Sequence, residues 1–411
     1  MDIIRKWNSL SLIVRILIGL VIGAVLGLLV PNWGWIALFG ELFVGALKAV
    51  APILVFVLVA SSLANAKGGH TKRFRTVILL YLCSTLAAAS VAVLINFASP
   101  VTIPLAGVDP AQGYTAPKGM SEVVFNLLTS IVSNPVDALS NANYIGILFW
   151  GVIIGIALKR ASDSTKELAS DLASAISVVV RWIINCAPFG IMGLIFNSVA
   201  TSGMDIFYTY GHLLAILVIT MLTVALIVNP LIVFITLRRN PYPLVFRCMR
   251  ASGVTAFFTR SSAANIPVNL ELCKDLGLDE NMYSVSIPLG ATINMDGAAV
   301  TITTFSLAAA YTAGVDVTIP MAIFLSIIAT FSACGASGVA GGSLLLVPLG
   351  CSLFGISNDV AMEIVGVGFI VSVIQDSLET ALNSSSDVVF TATTEFREWK
   401  KQGKKLPLWS K

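Results

Sequence analysis

The chain is short of charge. Asp, Glu, Lys and Arg make up only 11% of its 411 residues and its mean hydropathy is +0.89. A surface so poor in ionic groups could not keep a chain of this length dissolved, which excludes two or three ordinary soluble domains and leaves a polytopic membrane protein. The net charge of +3 is too small to argue for a nucleic-acid partner, and the basic residues fall in short clusters at segment ends. Metal-ligand and redox spacings are missing too: Cys83, Cys186, Cys248, Cys273, Cys334 and Cys351 are scattered, mostly in apolar runs, and read as small packing residues. No small-residue cleavage signature follows Arg5, Lys6 and Arg15, so the first apolar run reads as a membrane helix and not as a removed signal peptide. Lipidation and retention signals are likewise not evident.

What is present is a series of apolar runs separated by basic clusters. A first helix covers residues 16–30 and a second begins near Trp35, parted by Pro31 and Asn32, with Glu41 and Lys48 snorkelling near its outer end. Lys67, Lys72, Arg73 and Arg75, with His70 among them, are expected on the cytoplasmic side, as are Arg5 and Lys6. A third span, 76–100, leads to an outer polar loop through Asp109, Gly113 and Lys118. An amphipathic piece near 121–132 and a span over 143–158 then return the chain to Lys159, Arg160, Lys166 and Glu167. Spans over 172–200 and 206–237 complete a six-helix region, 1–240, in which Arg181 snorkels and His212 reads as a packing histidine.

Beyond Pro241 the pattern changes. Arg247, Arg250 and Arg260 interrupt the apolar character, followed by Ser261, Ser262, Asn265 and Pro267. One complete span here would invert every later segment and put Lys400, Lys401, Lys404 and Lys405 outside, against the positive-inside rule. The stretch therefore reads as a re-entrant hairpin whose tip, 260–265, is irregular backbone of a kind tolerated only where it lines a cavity. A seventh span, 283–312, follows. The charge-free stretch 317–358 is broken by the small residues 332–343, leaving legs of about 15 residues where a full helix needs about 20. A second hairpin, from the outer side, fits better, although charge parity does not separate it from two helices. A last span covers 359–390, and the basic tail 396–411 stays inside.

The chemistry concentrates in the second half. Asp296 stands in an apolar segment, where an ionised carboxylate costs roughly 3 kcal/mol on insertion scales, so it needs a cation, a proton or a water-filled cavity. Thr292, Asn294 and Asp296 put three oxygen-bearing side chains within five residues, and Gly290 and Gly297 loosen the backbone where carbonyls could turn toward an ion. Oxygen-only clusters suit a hard cation. In the last span Asp376, Glu379, Asn383 and Asp387 are three or four apart and share one helix face, which argues for a lined cavity. The competing reading, a structural polar network, is disfavoured because such networks rarely gather three carboxylates without basic partners. One phrase occurs twice: Ser261 and Ser262 before Asn294 and Asp296, then Ser332 and Ser337 before Asn383 and Asp387. With hairpins entering from opposite faces these are inverted repeats, the sequence pointer to a transporter's midplane site. Helix ends at the hairpin tips offer N–H groups to a carboxylate and carbonyls to a cation.

The segments Arg260-Ser-Ser-Ala-Ala-Asn-Ile-Pro267, Leu289-Gly-Ala-Thr-Ile-Asn-Met-Asp-Gly297, Gly335-Ala-Ser-Gly-Val-Ala-Gly341 and Asn383-Ser-Ser-Ser-Asp387 together resemble the dicarboxylate/amino acid:cation symporters, the glutamate transporter family. The likeness is nearest its bacterial sodium-coupled serine/threonine branch and runs from the third span to Asp387. It implies an all-α protein of eight membrane helices and two re-entrant hairpins, in a homotrimer, multi-pass in the bacterial inner membrane with both termini cytoplasmic. It further implies that a transport core, 241–395, moves elevator fashion against helices of the 1–240 region. Position by position, it implies a first sodium ion held by carbonyls of Gly290, Asn294 and Asn383 with the Asp387 carboxylate. A second would take carbonyls of Thr292, Ala333, Cys334 and Ala336 near Met295. A third would use Asp296 and Asn294 with Tyr81, Ser84 and Thr85. The substrate ammonium would meet Asp376, and its carboxylate Ser262, the Asn383 amide and backbone at both tips, with Ser261, Ser337, Gly338 and Thr380 bordering the pocket. No organic cofactor is implied.

Two departures from that family bear on the substrate. Members that carry acidic substrates have Arg where this chain has Glu379 and Thr where it has Ala298. A pocket with no cation at 379 does not compensate a second substrate carboxylate, and Glu379 repels it, so glutamate and aspartate should be excluded. Protonated or hydrogen-bonded, Glu379 could recognise a small hydroxyl side chain such as that of serine or threonine; ionised, it could favour a basic amino acid. Two other classes compete. Gly335-Ala-Ser337-Gly resembles the nucleophile motif of an intramembrane serine protease, but the base such an enzyme needs should follow the serine, and His70 and His212 both precede it. A passive channel is disfavoured by the asymmetry of the charged site. Symport follows from charge compensation, since Asp296 and Asp387 are costly to bury without cations.

Overall fold

The computed structural model describes residues 10–65, 72–105, 125, 129, 131–336 and 341–409. The expected outer loop through Asp109, Gly113 and Lys118, most of the amphipathic piece, the residues Arg5, Lys6, Lys67 and His70, and the hairpin-tip residues Ser337 and Gly338 lie outside these. Among the described residues the fold is helical without strands. Among the described residues, five stretches are long and apolar enough to cross a membrane: Leu12–Leu29, Gly34–Asn65, Arg73–Ala98, Ala187–Leu237 and Asn358–Lys401.

The amino-terminal helices are α1 (Leu12–Leu29), α2 (Ala37–Asn65) and α3 (Lys72–Ala98). Ser11 caps α1 by accepting the Val14 N–H. Gly19, Gly23 and Gly27, four apart, form one smooth face of α1, and Cβ atoms at the first two would collide with the carbonyls of Pro188 and Met192. Lipid tails are as apolar as leucine, so close backbone approach is what holds such a helix to its neighbour. After α4 (Pro135–Ser140), α5 (Tyr144–Leu158) lies on α2 in the same manner, with Gly155 against the Ala60 carbonyl. At 15 residues α5 rises about 22 Å, less than a hydrocarbon layer of about 30 Å.

The span expected over 172–200 is two helices, α6 (Asp163–Asn185) and α7 (Ala187–Ser202). They part at Cys186 because Pro188 has no N–H to give a preceding turn and is tolerated in the first turn of a new helix. Next, α8 (Ile206–Thr223) passes through a π turn, Val224–Val228, into α9 (Asn229–Leu237). The wide turn comes directly before Asn229-Pro230, where proline again removes a donor, and it leaves the Asn229 side chain buried.

A helical hairpin follows. Its first leg is α10 (Tyr242–Cys248), a second π turn, Met249–Gly253, and α11 (Val254–Thr259). Arg260 reverses the chain at φ 52°, Ser261 caps the second leg by accepting the Ala264 N–H, and α12 runs from Ser262 to Asp275. The span expected over 283–312 is also two helices, α13 (Glu280–Ile293) and α14 (Asp296–Thr312), because Asn294 and Met295 leave helical geometry. A second hairpin is formed by α15 (Ile319–Ala333) and α16 (Val347–Leu353).

The last helix, α17 (Asn358–Lys401), has 44 residues instead of the expected 32. Apolar character stops near Phe390, but Glu395, Arg397, Glu398, Lys400 and Lys401 are good helix formers and continue the same helix. Burial ranks the elements: 83% of the most apolar window of α17 is buried against 22% for α1, and every residue of α14 from Asp296 to Ala310 is buried. The two helices that carry the acidic residues are therefore the centre of the molecule.

Candidate functional site

The break between α13 and α14 lies against the middle of α17. Asn294 is the joint between them: its Nδ2 donates to Ser386 Oγ at 2.7 Å and to Asp387 Oδ1 at 2.9 Å. Asn383 Oδ1 accepts the Gly297 N–H at 2.7 Å, and its Nδ2 lies 3.4 Å from Met295 Sδ. Without the break the Gly297 N–H would be spent within one continuous helix. With it, α17 takes over that bond.

Asp387 is fully buried, and its Oδ2 has no hydrogen-bond donor among the described residues. A Cβ on Gly290 would stand 2.6 Å from Asp387 Oδ1 and 2.9 Å from the Tyr81 hydroxyl. Only glycine leaves room for the Asp387 carboxylate there. The Tyr81 hydroxyl lies 3.2 Å from both the Ser286 and Asp387 carbonyls and 3.0 Å from Thr391 Oγ1. A buried carboxylate oxygen with no donor is costly unless a cation answers it, and the surrounding oxygens are the kind a hard cation takes.

Asp296 opens α14 and is equally buried. Its Oδ1 is 2.8 Å from Ser84 Oγ and 3.2 Å from Thr85 Oγ1, and its Oδ2 accepts from Asn229 Nδ2 at 3.0 Å. Ser84 Oγ is also 3.3 Å from Asn294 Oδ1, so Asn294 links the surroundings of the two carboxylates. The structure thus brings Tyr81, Ser84, Thr85, Gly290, Asn294, Asp296, Asn383 and Asp387 together. Thr292 departs from its expected clustering: its hydroxyl donates to the Leu289 carbonyl at 2.7 Å, and its side chain borders a cavity with Leu58, Ser61 and Asn65 of α2. Thr292 belongs to the last turn of α13 whereas Asn294 has left helical geometry, so their side chains diverge. From the second hairpin, buried Ala333 ends α15, Cys334 Sγ reaches the Ile293 carbonyl at 3.6 Å, and Ala336 borders the pocket beside Met295.

That pocket is small, about 20 Å³, room for a single water. Arg260, Ser261 and Ser262 from the first hairpin face Asp376, Glu379, Thr380 and Asn383 of α17 across it. Arg260 Nε donates to Asp376 Oδ2 at 2.7 Å, with 10% and 5% of the two side chains exposed. Asp376 Oδ1 accepts the Gly341 N–H of the second hairpin at 3.3 Å. Glu379 Oε2 accepts from Thr301 Oγ1 and Ser343 Oγ, each at 2.7 Å, and from Gln375 Nε2 at 2.5 Å. The Thr380 hydroxyl is used within the helix, on the Asp376 carbonyl. Ala298 is fully buried and does not border the pocket; Thr301, one turn on, is the α14 residue that reaches Glu379.

One sequence reading is corrected by these distances. The carboxylates do have a basic partner, Arg260, which the hairpin turn delivers from 116 positions away and which is committed to Asp376. The reading missed Asn229 as well; an amide inside an apolar span, directly before a proline, was its only signal. Thr301, Ser343 and Gln375 gave no signal beyond being uncharged polar residues in apolar runs. His212 is a packing histidine, its Nε2 2.9 Å from Ser99 Oγ.

Residues 12–395 match the model of the sodium:dicarboxylate symporter family. A serine/threonine transporter SstT from Bifidobacterium adolescentis is 59% identical over 402 residues, covering 98% of this chain and 93% of the relative. SstT of Streptococcus thermophilus is 57% identical over 398 residues, 97% of this chain and 99% of the relative. SstT of Streptococcus agalactiae serotype Ia is 58% identical over 393 residues, 95% and 97%. The family match spans both hairpins, the helix break and the last helix as far as residue 395, and so the chain belongs to the sodium:dicarboxylate symporter family.

Proposed function

We propose that this protein is a sodium-coupled symporter that imports serine and threonine across the bacterial inner membrane. The observation that carries the reading is the buried Asp387 carboxylate, whose Oδ2 has no donor among the described residues and whose Oδ1 would stand 2.6 Å from a Cβ at Gly290. One carboxylate among neutral oxygens suits a monovalent hard cation; divalent ions gather several carboxylates or imidazoles. Among the described residues no three His, Cys, Asp or Glu side chains converge. The first ion is assigned to Gly290, Asn294, Asn383 and Asp387. A second is assigned to the carbonyls of Thr292, Ala333, Cys334 and Ala336, and a third to Asp296 and Asn294 with Tyr81, Ser84 and Thr85. The Asn229 amide orients the Asp296 carboxylate.

The substrate is read from the same face of α17, nearer the start of the helix. Its ammonium takes the place of the Arg260 guanidinium on Asp376, and its carboxylate meets Ser262, the Asn383 amide and backbone of both hairpin turns, including Ser337 and Gly338. Its hydroxyl joins the group around Glu379. Three donors already converge on Glu379 Oε2, which supports the hydroxyl reading over a basic side chain. A second substrate carboxylate would meet Glu379 directly.

The transport core, 241–395, slides against helices of the 1–240 region in a homotrimer, with the tail 396–411 cytoplasmic. A Cβ on Gly335, beside the turn of the second hairpin, would stand 2.9 Å from Val59, six residues from the Asn65 end of α2 and much farther from Ala37. The positive-inside rule makes the Asn65 end cytoplasmic, so this arrangement is read as the core displaced inward. Competition in proteoliposomes tests the specificity: threonine displaces labelled serine, and glutamate and lysine do not. Lysine competing as well as threonine would overturn the Glu379 assignment.

A further inference from the structure

A cavity of about 490 Å³ opens where α17 ends, under the short 3-10 turn Pro407–Trp409. Arg239, Lys400, Lys404 and Lys405 line it, and no carboxylate is among its described lining residues. Nearby acids are engaged elsewhere: Glu398 pairs with Lys401 at 2.8 Å, and Glu395 Oε1 accepts the Asp279 N–H at 2.8 Å. The wall is fixed in place. Lys400 Nζ donates to the Leu237 carbonyl and Trp409 Nε1 to the Asn240 carbonyl, both at 2.9 Å. The Trp409 ring packs edge-on against Phe396, and Leu406 is buried. Four cations held around one cavity repel one another, and an anion is the group that relieves this.

A second observation concerns the same end of the bundle. Leu231, Phe234 and Ile235 are exposed on the last two turns of α9, immediately before Arg239, and the stacked rings of Tyr242 and Phe246 are exposed just after it. Cations at the end of a bare apolar face, with an indole at the boundary, match an amphiphile: a phosphate head with acyl chains beside it. Free phosphate shares the head-group chemistry but would gain nothing from the apolar face.

We propose that this cavity binds the phosphate headgroup of an anionic phospholipid whose acyl chains lie along the exposed face of α9. The site is independent of the serine pocket and of the sodium assignments. Delipidated full-length protein in detergent is titrated with dioleoylphosphatidylglycerol, with dioleoylphosphatidylcholine and with inorganic phosphate, and read by native mass spectrometry and thermal unfolding. Phosphatidylglycerol is expected to bind and to raise the unfolding temperature, and Arg239→Gln with Lys404→Gln and Lys405→Gln to weaken it by about ten-fold or more. Lys404→Arg with Lys405→Arg should keep binding, and Lys159→Gln with Arg160→Gln, at a different basic cluster, should leave it unchanged. Equal binding of phosphatidylcholine, or equal loss in the Lys159 and Arg160 variant, would overturn the site. Inorganic phosphate displacing the lipid at equal concentration would overturn the choice of a lipid.

Discussion

Arg260 Nε and Asp376 Oδ2, 116 positions apart in the chain, lie 2.7 Å from each other across the space where the two hairpins and the last helix meet. The pair lines a pocket of only about 20 Å³, so the substrate ammonium proposed for Asp376 would have to take the place of the guanidinium. A substrate ammonium that replaced the guanidinium would keep the buried Asp376 carboxylate paired during binding.

Asp376→Asn is expected to lower serine affinity by about ten- to a hundred-fold, the value of a charged hydrogen bond of roughly 1.5–3 kcal/mol. Arg260→Gln removes the competitor and is expected to tighten serine binding several-fold while lowering the thermal stability of the substrate-free protein. Calorimetric titration of both variants with serine checks this. Weaker serine binding in Arg260→Gln would show that the guanidinium holds the substrate and does not compete with it.

Sodium binding is expected to depend on Asp387 and on the space in front of it. Asp387→Asn should weaken sodium at least about ten-fold, because a neutral amide replaces the one charged ligand. Gly290→Ala should do the same with the charge intact, since its Cβ would stand 2.6 Å from Asp387 Oδ1. The check is the sodium dependence of serine binding. A normal sodium midpoint in Gly290→Ala would mean that the ion sits elsewhere.

Specificity is expected to turn on Glu379. Glu379→Arg should weaken serine and admit an acidic amino acid, because Thr301 and Ser343 can turn their hydroxyls to accept where they now donate. Glu379→Gln should keep the shape and lose less. Competition by glutamate against labelled serine in each variant reads the outcome, and an unchanged profile in Glu379→Arg would remove this residue from the pocket.

How much of this was legible in the sequence follows from what each residue type reveals alone. Asp296, Asp376, Glu379 and Asp387 stood out because an acid in an apolar run needs a reason. Asn229 did not, because a buried amide is ordinary; its role exists only through Asp296, 67 positions away. Arg260 was visible as an interruption, but its partner depends on how a hairpin turns, at a φ of 52° that composition does not encode. The break at Cys186 was hidden by unbroken hydropathy, with Pro188 as its one trace. The length of α17 was missed because hydropathy ends at the membrane whereas helix propensity does not.

Not every ion pair carries equal weight. Lys48 of α2 pairs with Asp359 at the start of α17, linking the two regions proposed to move past each other, but 42% and 63% of these side chains are exposed. Exposed pairs contribute about 0–1 kcal/mol, so Lys48→Met is expected to change the serine uptake rate by less than about five-fold. A larger loss would mean that the pair acts as a latch.

The most direct measurement is serine uptake into proteoliposomes carrying the purified protein, with an inward sodium gradient, with potassium in its place, and with a proton gradient alone. Coupling to sodium requires accumulation in the first case only, collapsing in Asp387→Asn. Serine accumulation that persists without sodium and follows the proton gradient would contradict it.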